Sequence, residues 1–130
     1  LIPHQRKLYK IVKIPYKFEW GFWIYKVFIF IGGRKMENKK VLVRGDRSGV
    51  FFGELIERNC QEVELKNCRR IWYWDGAASI SQLAKEGTKI PDNCKFTVTV
   101  EKIIITDAIE IILCTDESIT SIEGVKEWKY

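Results

Sequence analysis

From Lys39 onward apolar and polar residues alternate at period two, the spacing of strands with one buried face. Val41 and Val43, set between Lys40, Leu42 and Arg44, predict a short strand, and Gly45-Asp46-Arg47-Ser48-Gly49 supplies the turn that ends it. Val50–Arg58 predicts a second strand, in which Gly53 marks a bulge or a close backbone approach. Asn59-Cys60-Gln61 turns the chain into Glu62–Lys66, the third strand of a meander. Asn67-Cys68 then breaks the alternation as a bulge does, and Arg69–Trp74 resumes it.

Asp75-Gly76 closes that strand, and Ser79-Ile80-Ser81-Gln82 has the S-x-x-Q form of a capping box. The short helix it predicts has Ile80, Leu83 and Ala84 as its apolar stripe and Gly87 as its stop. Thr88–Cys94, with Pro91, reads as a loop. Lys95–Val100 alternates as another strand, and Ile103–Thr106 and Ile109–Cys114 are β-branched runs suited to a buried sheet. Thr115 is placed to cap a final helix over Asp116–Glu123, with Ile119 and Ile122 inward and Gly124 at its end. The whole predicts a single α+β domain over residues 36–130. It is a small, strongly bent antiparallel β-sheet or open barrel of five to six strands, with one inserted helix and one C-terminal helix.

Residues 1–35 follow a different pattern. They hold eight Lys/Arg and one acid, whereas residues 36–130 hold 14 Lys/Arg against 16 Asp/Glu, so the formal charge of +5 originates in the first quarter. The remainder therefore lacks a general nucleic-acid footprint. The leading stretch is rich in Ile, Lys, Phe and Tyr, whose codons are AT-rich, and Gly32-Gly33 stands before the only methionine, Met36, where a ribosome-binding sequence would lie. The expectation is a native start at Met36, with residues 1–35 as upstream read-through. The competing reading is a basic-aromatic anchor, because Lys7, Lys10, Lys13 and Lys17 precede the apolar run Trp20–Ile31. That run contains Lys26, has no small-x-small cleavage site and is shorter than the ~20 apolar residues of a spanning helix. A membrane partner is expected only if this segment is native; otherwise the protein is expected in the cytoplasm.

Chemistry narrows the classes further. Cys60, Cys68, Cys94 and Cys114 stand singly and His4 is the only histidine, which is not the clustered spacing of a zinc site. Four reduced, mostly buried thiols are expected. Ser79 and Ser81 have no histidine within residues 36–130 to activate them, and the Gly-rich loop that cradles phosphate is missing. No catalytic residue, cofactor or metal ligand is predicted, and an enzyme is the third-ranked class. Glu54, Glu57, Glu62 and Glu64 read as the solvated side of a hairpin.

The densest stretch runs from Arg69 to Ser79. Arg69, Arg70, Trp72, Tyr73, Trp74 and Asp75 form the candidate ligand- or partner-binding face, since guanidinium pairs with phosphate and aromatic faces stack on bases. The structural alternative puts Trp72 and Trp74 on one core-facing side of the strand, covers the other with Tyr73 and the arginines, and makes Asp75-Gly76 an ordinary turn.

The run Asn67-Cys-Arg-Arg-Ile-Trp-Tyr-Trp-Asp-Gly-Ala-Ala-Ser-Ile-Ser-Gln-Leu-Ala84 resembles the hallmark of a small family of tailed bacteriophages and prophages, a domain of unknown function. Ser48–Gly53, Asn93–Phe96 and Ala108–Ile112 are similar to other segments of that family. The resemblance implies a phage or prophage accessory protein in the host bacterial cytoplasm and carries no catalytic residues. Two functions are compatible with it. In the first, a non-enzymatic module binds a host or phage protein, or copies of itself as a homo-oligomer, through the Arg69–Asp75 face. In the second, the same face binds a nucleotide or nucleic acid and sequesters a host signal nucleotide.

Overall fold

The computed structural model describes the backbone of residues 9–17 and 23–31 and the whole of residues 39–130. The chain divides into two units, Leu1–Met36 and Glu37–Tyr130. In the first, β1 (Tyr9–Lys17) and β2 (Trp23–Ile31) pair antiparallel from Tyr9 opposite Ile31 to Lys17 opposite Trp23. Most of the apolar run Trp20–Ile31 is thus a strand. Met36 and the expected start there lie outside the described residues. Among the described residues no helix is long and apolar enough to cross a membrane.

The second unit is an antiparallel open sheet of six strands with two helices. Its strands are β3 (Lys40–Gly45), β4 (Val50–Asn59), β5 (Glu62–Tyr73), β6 (Lys95–Phe96), β7 (Val100–Ile105) and β8 (Ala108–Leu113). They lie in the order β6-β5-β4-β3-β8, with β7 also paired to β5. The meander and the α+β class are as the alternation predicts. The strand expected over Lys95–Val100 is instead two strands, β6 on Ile71 and Tyr73 of β5 and β7 on Val63–Cys68. β5 bends between these partners, so one straight strand could not follow it.

The bend has a local cause. Phe52 pairs Arg69 and Glu54 pairs Lys66, so Gly53 of β4 faces the two residues Asn67 and Cys68 of β5. Asn67 takes a positive φ of 49°, a conformation asparagine tolerates better than most residues. A Cβ on Gly53 would lie 3.2 Å from the Cα and Cβ of Cys68, which makes this the close approach expected at that glycine.

Curling buries both faces of the middle strands. Val41, Val43, Phe51, Leu55, Val63, Leu65, Cys68 and Ile105 fill the concave side. Leu42, Phe52, Ile71 and Phe96 meet Leu83, Ala84 and Ile122 of the helices on the other. Leu42 breaks the simple in-out reading of β3 for this reason. Each of the Val, Leu, Ile and Phe side chains among them contributes about 1.5–3 kcal/mol by leaving water. β7 and β8 are less buried than their composition suggests: Ile104, Ile109 and Leu113 are about half exposed, because both strands lie at sheet edges.

The helices are α1 (Ile80–Glu86) and α2 (Asp116–Glu123). Ser79 Oγ accepts from the Gln82 N–H at 3.1 Å, as a capping box requires, but Gln82 Oε1 reaches back to the Ala78 N–H, one residue earlier than expected. Gly87 ends α1 at φ 77°. Thr115 caps α2, and the buried Ser118 hydroxyl donates to Leu83 O at 2.6 Å, which ties the two helices together.

Candidate functional site

Alternation along β5 sends neighbouring residues to opposite faces, and this divides the candidate stretch. Arg69 and Ile71 point to the helix side, and both are buried. The Arg69 guanidinium donates to three backbone carbonyls: Nη1 to Ile122 at 2.9 Å, Nε to Thr97 at 3.1 Å and Nη2 to Phe96 at 3.3 Å. It therefore joins β5, the segment after β6 and the C-terminal end of α2, where a cation also complements the helix dipole. Its centre is 5.5 Å from the Phe96 ring. Burial holds its pKa below the usual arginine value, opposed by the Glu127 carboxylate.

Arg70 faces the other way. Its guanidinium lies over the Phe51 ring at 4.9 Å and is exposed. The two arginines, expected side by side, do not share a site. Trp72, on the Arg70 side, is 62% exposed, which corrects the alternative that placed it in the core with Trp74. It stacks on Trp128, with centroids 6.2 Å apart and planes at 18°. Trp128 is carried there by the C-terminal segment, whose Glu127 bridges Phe96 in parallel and whose Trp128 N–H donates to Phe96 O at 2.8 Å. Lys95 of β6 places its ammonium 5.4 Å from the Trp128 ring. Tyr73 is also exposed.

Trp74 leaves the strand. It is half-buried beside the helix-side core, and its indole N–H donates to Ala77 O at 3.2 Å. Asp75 follows the turn reading. One carboxylate oxygen accepts the Gly76 N–H at 2.7 Å and the other accepts the Asn93 amide at 2.6 Å. Thr88 Oγ1 and Cys94 Sγ both donate to its carbonyl. Gly76, at φ 82°, is so close to the backbone of Lys89 and Ile90 that a Cβ would clash at 2.6 and 2.5 Å. Asp75 therefore joins the Asp-Gly turn to the Pro91–Asn93 turn.

Of the expected face, Arg70 and Trp72 lie on one side of β5, and the structure adds Trp128 and Lys95 beside Trp72. The sequence did carry one signal for Trp128: an aromatic pair, Trp128 and Tyr130, beyond the glycine that ends the last helix, where no apolar periodicity calls for burial. Two shallow clefts flank this region. One, of about 230 Å³, lies beside Arg69 and Phe52 and contains the Lys40–Glu123 ion pair at 3.1 Å. The other, of about 350 Å³, lies beside Arg70 and Phe51.

The thiols divide by depth. Cys60 is exposed, Cys114 half-buried, and Cys68 and Cys94 buried, all four free. Burial pushes the Cys68 thiol up to about 12 and Cys114 to about 11.

No curated protein and no solved structure matches the chain. Residues 38–122, well over half of its length and including all of β3–β8, match the family model described as a domain of unknown function (DUF6948), and the chain belongs to that family.

Proposed function

We propose that this chain is a non-enzymatic binding module of a phage or prophage, and that its outer β5–β6 face binds a protein partner bearing acidic groups around an apolar centre. The observation that carries the reading is the exposed Trp72–Trp128 stack with Lys95 against it and Arg70 beside it. Tryptophan and arginine are the residue types that dominate binding energy at protein interfaces. An indole left largely in water exposes on the order of 100 Å² of apolar surface, about 2.5 kcal/mol that a partner recovers by covering it. The cationic rim selects acidic partners and speeds their association. The phage setting rests on the resemblance of the Asn67–Ala84 run.

The test is recovery of a stoichiometric partner on the tagged full chain from its native cells, compared with Trp72→Ala. The expected result is loss of the partner with a melting temperature within about 2 °C of the parent, since the residue is exposed. Equal recovery with both chains would overturn the reading.

A further inference from the structure

The face proposed above shares only Arg70 with a cleft on the concave side of the sheet, whose other residues it does not use. There the β3–β4 turn meets the connection between β7 and β8. Asp107 ties the two together: its carboxylate accepts the Arg47 N–H at 2.8 Å, the Ser48 N–H at 3.1 Å and the Ser48 hydroxyl at 2.6 Å, and its carbonyl accepts the Asp46 N–H at 2.9 Å. The rim is therefore built rather than loose. Arg47 and Arg70 line the cleft of about 350 Å³, with Phe51, Ile103 and Ile105 as its apolar floor. Asp107 is the one acid in that lining, and its oxygens are already occupied by backbone and hydroxyl donors. Neither arginine forms an ion pair among the described residues. Two arginines thus line one concavity, neither guanidinium has a hydrogen bond among the described residues, and that of Arg70 lies over the Phe51 ring.

We infer that this cleft is a binding site for a small phosphate monoester, with Arg47 and Arg70 on the phosphate and the apolar part of the ligand against Ile103, Ile104 and the guanidinium plane of Arg70. Planar guanidinium forks match phosphate oxygens in pairs, and the volume is at the small end of ligand pockets, enough for a nucleoside monophosphate. The Phe51 ring lies under Arg70, so the stacking surface offered to a base is the guanidinium itself. Arg69 has no part in this site.

The experiment is a titration of the full chain with 5′-adenylate, with adenosine and inorganic phosphate as separate arms, followed by amide chemical shifts and calorimetry. The expected result is saturable binding of adenylate, tighter than either fragment, with shifts confined to residues 47–51, 70 and 103–107. Arg47→Ala and Arg70→Ala should each weaken it about ten- to a hundred-fold, and Arg70→Lys should restore part of the loss. Both side chains are exposed, so these variants keep the fold. Three results would each overturn the inference: no saturable adenylate binding, equal affinity for inorganic phosphate alone, or binding that survives Arg47→Ala. Failure of the protein-binding reading is separable, because Trp72→Ala leaves this titration unchanged.

Discussion

Replacing Arg69 by alanine removes the side chain that holds three chain segments together, and the cost follows from what each carbonyl loses. Phe96 O still accepts from the Trp128 N–H and Ile122 O from the Val125 N–H, so those two keep a backbone partner. Thr97 O keeps no other donor among the described residues. A net contribution of about 1.5–3 kcal/mol is typical of a hydrogen bond from a charged group, and two of the three here have good geometry, at 2.9 and 3.1 Å. The desolvation of the guanidinium offsets part of this. The balance, with the void left beside Phe96, is a loss of about 3–4 kcal/mol, or a fall in Tm on the order of 15 °C for a domain of this size. Arg70→Ala is the comparison, since an exposed cation over an aromatic ring contributes about 0.5–1 kcal/mol. Denaturant melts of the full chain measure both. A loss below about 1 kcal/mol for Arg69→Ala, or equal losses for the two variants, would refute the assignment of Arg69 to the scaffold.

Other consequences follow from the same geometry. Gly53→Ala forces a methyl against the bulge backbone at Cys68 and should cost about 1–3 kcal/mol in a denaturant melt, whereas a neutral outcome would mean that the bulge relaxes freely. Under native conditions iodoacetamide should label Cys60 first, and Cys68 only after denaturant is added, as followed by peptide mass spectrometry. Hydrogen bonds from Ser48 and Arg47 hold the Asp107 carboxyl below its ordinary range. A carboxylate whose folded pKa is depressed stabilises the fold above its unfolded value of about 4, and that contribution disappears as pH falls through the folded pKa. Asp107→Asn should therefore lower Tm at pH 7 and flatten its decline in acid, and a parallel decline in both chains would contradict this.

Much of the fold was legible because period two, turn residues and caps are local signals. β3–β5, the bulge opposite Gly53 and both helices follow from them. The division of Lys95–Val100 into β6 and β7 was not legible, because it depends on the bend of β5, a non-local partner. The β1–β2 hairpin was hidden for another reason: Lys10, Lys13 and Lys17 recur at three- and four-residue intervals, and Pro15 interrupts the run, so no strand period shows. At the site, alternation alone separates Arg69 from Arg70, yet it does not say which arginine faces the core. Three carbonyls, from Phe96, Thr97 and Ile122, decide that, and they come together only in the folded chain. Arg47 and Trp128 lie far from the dense stretch in sequence and reach it through Asp107 and Phe96.

The most direct test of the proposed face is photocrosslinking in native cells, with a benzophenone amino acid placed at Trp72, at Trp128 and, as a control, at the exposed Glu117 of α2. The expected result is one discrete protein adduct shared by the first two positions and missing at the third. No adduct at Trp72 or Trp128, or the same adducts at all three positions, would contradict it.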